Sequence, residues 1–396
     1  MSGGFESFAE AASKPAATAK PPAPLTLSRV AVLGGGSDAR LIAALCLAAE
    51  TKVTLFSAYG AELDMLRASS GISLRGAGPV GTYQVDRNDA PSVQTTAELD
   101  RAVAGADAIF LTGPVHKQRT YAMVLADHLS DGQILVLAPA RSLGALETAW
   151  YLRIGGCTAD VTIVEAQGLP YWITATGSQL HLSAAAPVAA ATLPAGRLEA
   201  LNAVSRLLTN IAPCDSVLAS GFADGSALVE IPSLLLSGPA LSSGALNIPM
   251  GGQPLAENQT FASLIGPEHR AVITRLAAER HAVAKCFGVR NLPDADTWIV
   301  TVAGATKGDG GRPIPDQATA KALLRDGVIG SLVPLLSAAK IAGVDVPVTQ
   351  SMITLASTVL GADVATAGRR LDTIGITEND IDSARRAMDA IATGAR

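Results

Sequence analysis

From Leu27 to Ser183 one pattern repeats: a short apolar run, a turn, then apolar residues at helical spacing. The runs Val30–Leu33, Lys52–Phe56, Ala108–Thr112, Ile134–Leu137 and Val161–Val164 predict strands, and Gln179–Ser183 alternates as a last one. Most of these runs are apolar at odd and even positions alike, as in parallel strands covered on both faces. Strands alternating with helices over short connections predict a doubly wound parallel sheet. Ala184–Gly196 is rich in Ala and Pro and reads as a linker. Beyond it, strand-like runs nearly vanish. Pro267 suits a first helical turn, with Val272, Leu276, Val283 and Phe287 on one face and Gly288 as the stop. Met352, Leu355, Ala356, Val359 and Leu360 form a second stripe, and Thr377-x-x-Asp380 predicts a capping box for a final helix.

The first strand ends in a distinctive turn. Gly34, Gly36 and Ala39 make G-x-G-x-x-A between a strand and an Ala/Leu-rich helix. The first glycine permits a sharp turn, the second lets a pyrophosphate reach the backbone, and the third small residue lets helix and strand pack closely. A tight turn without a ligand is the alternative. This gives a Rossmann-type α/β fold followed by an all-α C-terminal domain. Residues 1–27 are expected to be a disordered tail, 28–190 the dinucleotide-binding domain and 191–396 a helical substrate domain.

An acid at the end of the second strand would hold the ribose of NAD. Ser57 stands there instead. Its lack of charge tilts the expected cofactor from NAD slightly towards NADP; alternatively, Ser57 caps a helix over 62–68. Pro114 lies just beyond the Ala108–Thr112 strand, at the carboxyl end where open α/β sheets bind ligands, and His116 is near it.

The 396 residues suffice for two sizeable cores. The net charge of −5, with Lys and Arg scattered, argues against nucleic acid or an anionic membrane as a partner. No apolar run approaches the ~20 residues of a membrane span. The four cysteines are far apart, which speaks against a disulfide framework or a metal site and fits a reducing cytoplasm.

Several segments, in order, resemble the opine dehydrogenase family, which includes octopine and nopaline dehydrogenases and shares the helical domain of 6-phosphogluconate dehydrogenase. Ala138-Pro139 with Gly144-Ala145-Leu146-Glu147 resembles its N-P-G and G-A-L-E. Glu165 with Leu169-Pro170-Tyr171 resembles E-T-x-x-L-P-Y, and Ala278-Glu279-Arg280 resembles D-A-E-R. Leu332-Val333-Pro334, Gly343 to Pro347 and Gly368-Arg369-Arg370-Leu371 resemble its closing pattern. The resemblance implies reductive condensation of an amino acid's amine with an α-keto acid through an imine, using NAD(P)H. It also implies a histidine, paired with an acid of the helical domain, as proton carrier.

This chain departs from that pattern. Glu230 stands where the histidine is expected, and Thr174 replaces the arginine after L-P-Y. Glu230 is the expected proton carrier, or else an ion-paired residue of lost chemistry. Asp326 falls near the family's partner acid, or else caps a helix over 328–342. Arg141 and Arg325 are the cations available for a substrate carboxylate. A plain keto or hydroxy acid oxidoreductase and a non-catalytic dinucleotide sensor remain alternatives. The apolar C-terminal helices leave room for a homodimer face.

Overall fold

The computed structural model describes residues 25–69, 71–237, 259–306, 311–377 and 380–393. The tail expected over 1–27 lies outside these residues except at its end. Twelve strands are present among the described residues: β1 (Arg29–Leu33), β2 (Lys52–Phe56), β3 (Ile72–Gly76), β4 (Gly81–Tyr83), β5 (Gln94–Thr96), β6 (Ala108–Leu111), β7 (Ile134–Leu137), β8 (Thr162–Ala166), β9 (Tyr171–Thr176), β10 (Gln179–Ala184), β11 (Val188–Leu193) and β12 (Ile211–Pro213). The main sheet runs β12-β11-β8-β7-β6-β1-β2-β5. It is parallel from β8 to β5, while β11 is antiparallel to β8 and parallel to β12. Its helices are α1 (Ser37–Ala48), α2 (Gly60–Ala68), α3 (Leu99–Val103), α4 (Val115–Leu125), α5 (Gly144–Ile154) and α6 (Leu198–Ser205).

The apolar runs are strands because each feeds two cores. Ala31 and Leu33, Ile109 and Leu111, Leu135 and Leu137 join one hydrophobic cluster. Val30 and Val32, Ala108 and Phe110, Ile134 and Val136 join the other, with α1. Alternate side chains point to opposite faces, so only a run apolar at every position can be buried on both.

Two expectations need correction. The Gln179–Ser183 strand does not extend the main sheet; β10 belongs to a second sheet of order β4-β3-β10-β9, packed over α1. The stretch 184–196 is not a linker. It contains β11, whose Ala190 and Ala191 are fully buried and pair with Ala166 and Glu165 of β8. Alanine is a poor strand former in isolation, but these small side chains fit a crowded sheet face. The main sheet therefore runs on to Pro213, past the boundary expected near residue 190.

Beyond β12 the regular elements among the described residues are helices, with an isolated bridge between Gly304 and Gly311. The elements are α7 (Val217–Ala223), α8 (Ser226–Leu236), α9 (Pro267–Cys286), α10 (Ala295–Ala303), α11 (Gln317–Gly327), α12 (Val333–Ala342), α13 (Pro347–Leu360) and α14 (Ile381–Thr393). Helices α11 and α12 are continuous through a π-helical segment, Val328–Leu332. Pro334, just beyond it, has no N–H for the carbonyl four residues back, a local misfit that a widened turn absorbs. This 26-residue helix, Gln317–Ala342, is long and apolar enough by composition to cross a membrane, but 67% of its most apolar window is buried inside the protein. On α13 the buried face is Thr349, Met352, Ile353 and Ala356, with Leu355 and Val359 exposed, so the expected stripe is only partly right. Asp380, rather than Thr377, caps α14 by accepting from the Ser383 N–H at 2.9 Å.

A buried ion pair ties the two halves together. Arg369 Nε donates to Glu147 Oε2 at 2.8 Å, and Arg119 lies 3.3 Å from the other oxygen. Arg369→Met leaves a buried carboxylate with one partner, so it is expected to cost about 3–5 kcal/mol in urea unfolding. Adding Glu147→Gln should recover at least ~1 kcal/mol of that, because the stranded charge is gone. Equal stability of single and double variants would show that the charge is not what the pairing compensates.

Candidate functional site: the cleft at the strand carboxyl ends

Gly34 has φ +133, and a side-chain carbon there would lie 2.4 Å from Thr112 Oγ1, so only glycine fits. Gly36, at the N-cap of α1, faces open space, and no side chain caps that helix end. The free N–H groups with room beside them form a cradle for an anion. Ala39 is fully buried against the strand layer. The residues thus fit the pyrophosphate of a dinucleotide.

Beside this loop lies a cluster of ionic side chains. Arg141 follows β7 in a loop where it and Leu143 both have φ +60, a left-handed conformation costly for residues with a side chain. Arg141 Nη2 donates to Glu230 Oε2 at 3.2 Å, and Nη1 is 3.9 Å from Asp224 Oδ1. Arg312 Nη2 donates to Glu230 Oε1 at 2.7 Å and stacks its guanidinium over Phe261 at 4.6 Å. Glu230 sits on α8, beside Pro232, and is almost fully buried. Asp326 Oδ2 accepts from the Val115 N–H at 3.4 Å, next to Pro114 at the N-cap of α4. A side-chain carbon on Gly113 would lie 3.6 Å from Asp38 Oδ2 and 3.8 Å from Asp326 Oδ2, so two carboxyls converge there. The π segment closes over this cluster: a carbon on Gly330 would lie 2.8 Å from Arg141 Cβ.

The electrostatics follow from burial. Asp38 is pushed up to about 6, first by burial and then by the charge of Asp326, with Arg141 opposing. Asp326 is also raised by burial, against the pull of Arg141. Burial works against the charge of Arg141, but Glu230, Asp224 and Asp326 outweigh it and hold the guanidinium firmly protonated. His116 is held below its ordinary value by burial and by Arg325, Lys117 and Arg119. Asp326 Oδ1, Arg141 Nε and His116 Nδ1 are buried polar atoms with no protein partner, as in a site shaped for a ligand.

The fold thus brings Glu230, Asp326 and Arg141 together beside Pro114 and the glycine loop. Asp326 is not a helix cap, since the helix runs on through the π segment. Arg325 is exposed and acts electrostatically on His116. Thr174 is on β9 of the small sheet, paired with His181. Ser57 caps no helix. Its Oγ accepts from the Tyr59 N–H at 3.1 Å and donates to Glu62 Oε2 at 2.5 Å.

Four of the resembling motifs are structural. Glu165 accepts from Ser220 Oγ at 2.5 Å and from the Ala145 N–H at 2.9 Å, and burial pushes it up to about 7. Glu147 pairs with Arg369. Arg280, fully buried, donates to Ser142 Oγ, Ser331 Oγ and the carbonyls of Gly221 and Phe222, and burial lowers it to about 10. Sequence reasoning missed Asp38, Asp224, Arg312 and Glu62. Asp38 was legible, being an acid inside the glycine loop itself. Arg312 carries no periodic signal and meets Glu230 only through the fold.

No family model matches the chain. It is 24% identical over 373 residues to opine dehydrogenase of Arthrobacter sp. (strain 1C), spanning 91% of this chain and 98% of that one. Octopine dehydrogenase, solved with NADH and L-arginine, matches with a TM-score of 0.62 at 18% identity, covering 93% of this chain and 98% of the other. Yersinopine dehydrogenase with NADP+ bound matches with a TM-score of 0.60 at 14% identity, covering 93% and 99%. Over nearly its whole length the chain is therefore similar to opine dehydrogenase, and its Rossmann-type layer and helical C-terminal region share the octopine dehydrogenase fold.

Proposed function

We propose that this protein is an NAD(P)H-dependent oxidoreductase that condenses the amine of an amino acid or related amine with an α-keto acid. The observation that carries this reading is the placement of the Asp38, Asp326, Arg141 and Glu230 cluster beside the glycine loop, at the strand carboxyl ends. The similarity to opine dehydrogenase supports it. Gly34, Gly36 and Ala39 hold the dinucleotide, and Pro114 borders it. The bound nucleotide supplies hydride.

The residues divide the remaining work. Arg141, through its unpartnered Nε, orients the keto acid carboxylate. Glu230, expected as the proton carrier, has both oxygens taken by guanidiniums, so it is assigned to positioning Arg141. The buried, unpartnered Oδ1 of Asp326 is assigned to the substrate amine. Amine and keto carbon form a C–N bond, and the hydroxyl of the adduct leaves as water when Asp326 or Asp38 donates a proton. A bound reduced nucleotide would supply the hydride that turns the imine into the secondary amine, with one proton taken up from solvent overall. Burial first, and at Asp38 the neighbouring charge of Asp326 second, raise the proton affinity of these two carboxyls, which suits them to proton transfer.

The first test follows loss of reduced nicotinamide absorbance with pooled α-keto acids, with and without pooled amino acids and amines. Consumption only when both pools are present is expected. Consumption with keto acids alone would make it a plain reductase, and none at all would overturn turnover.

Asp326→Asn is expected to lower kcat by about 100-fold, the usual scale for a lost general acid. Glu230→Gln should mainly raise the keto acid KM; a kcat loss as large as that of Asp326→Asn would return the proton to Glu230. A pH series tests Asp38. Its folded value, about 6, lies above its unfolded value of 3.8, so the stability it contributes is present below the unfolded value and is lost as pH rises through about 6. Asp38→Asn should therefore melt higher than wild type at pH 8, with the difference shrinking towards pH 4; a constant difference would refute the shift.

A further inference from the structure

One acid at the glycine loop has no part in the chemistry above. Glu62 lies in the first turn of α2, yet its carboxylate reaches back over the loop after β1. A side-chain carbon on Gly35 would be 1.8 Å from Glu62 Oε2. The Ser57 hydroxyl, at the end of β2, holds that same oxygen at 2.5 Å. Ser57 is 1% exposed and cannot itself meet a nucleotide, whereas Glu62 is only half-buried. Among the described residues Glu62 Oε1 has no hydrogen-bond partner.

We propose that Glu62, aimed by Ser57, reads the adenosine ribose and makes this chain select NADH over NADPH. The inference rests on the dinucleotide-binding reading and reverses the tilt towards NADP. In a parallel sheet the ribose of a dinucleotide lies between the glycine loop and the end of the second strand. The carboxylate of Glu62 occupies that position from one helical turn further along. A ribose hydroxyl can donate to its free oxygen, while a 2′-phosphate would meet like charge at close range. Two cations lie near, Lys117 and Arg40, the second with a charge that acts on Glu62 itself. Lys117 Nζ donates to the Tyr59 hydroxyl at 3.1 Å and stacks over its ring, and Arg40 Nη1 donates to the Gly177 carbonyl at 2.5 Å.

The test is direct nucleotide binding, without keto acid or amine. Purified full-length protein is titrated with NADH and with NADPH, following nicotinamide fluorescence. Wild type is expected to bind NADH at least ~10-fold tighter, a modest reading of one like-charge contact at the edge of the protein. Glu62→Gln should bring the two dissociation constants within about threefold, chiefly by strengthening NADPH. Ser57→Ala, which keeps the charge but releases its aim, should give an intermediate ratio. Equal affinities in wild type, or an unchanged ratio in Glu62→Gln, would overturn the assignment. A preference for NADPH that Lys117→Ala abolishes would overturn it in favour of a phosphate site at Tyr59. If neither nucleotide binds wild type, the dinucleotide reading itself fails and takes this inference with it.

Discussion

The structure depends on how the loop after β7 is held. Ala138 to Leu143 carries two residues in the left-handed region, each unfavourable by about 1–2 kcal/mol for an L-residue. The loop keeps that shape because two buried guanidiniums from the helical half complete it. Arg369 donates to the carbonyls of Ala140 and Ser142, and Arg280 to the Ser142 hydroxyl. Without them, buried acceptors would be stranded, and such groups are costly. The loop that presents Arg141 is therefore completed only when the helices dock. Site assembly and packing between the halves are one event, which explains why the motifs resembling G-A-L-E, D-A-E-R and G-R-R-L map to structural ion pairs and anchors rather than to the reacting groups.

Charge balance explains the division of labour in the cleft. Glu230 is bracketed by Arg141 and Arg312, which compensates it in place. Asp38 has only the pull of Arg141 against burial, and Asp326 has Arg141, Arg325 and the Val115 N–H, yet burial pushes both up. A proton resides most easily where compensation is thinnest. Where the opine dehydrogenase family is expected to have a histidine, this chain has an acid fixed between two arginines. The proposed function accordingly assigns the proton transfer to the carboxyl pair nearer the glycine loop.

The legible parts of the fold were those in which local pattern and tertiary demand agree. β1, β2, β6 and β7 were readable because, apart from Arg29, Lys52 and Thr54, every position of these runs is apolar and buried. β11 was not, since Ala189 to Ala191 have the composition of a linker and become a strand only against β8. Asp326 was placed near its partners by resemblance but read locally as a cap, because nothing in a single sequence announces a helix that continues through a π turn. Arg312 and Glu62 were missed for a common reason. Their roles come from contacts through space, Arg312 with a residue 82 positions earlier and Glu62 with a loop on the neighbouring strand.

The glycine loop also fixes the direction in which a dinucleotide must lie. Its N–H groups at Gly36 attract an anion, but acids flank it on both sides: Glu62 over Gly35 on the β2 side, and Asp38 facing Gly113 on the β6 side. A pyrophosphate is therefore tolerated only over the short stretch between them, at the N-terminus of α1. Neutral sugar hydroxyls are what the β2 side can accept. The β6 side leads to Gly113, Pro114 and the paired carboxyls of Asp38 and Asp326. On the proposed function, the same two acids that make the loop look ill-suited to a phosphate would set its register, with the adenosine end away from the ionic cluster and the nicotinamide end against it.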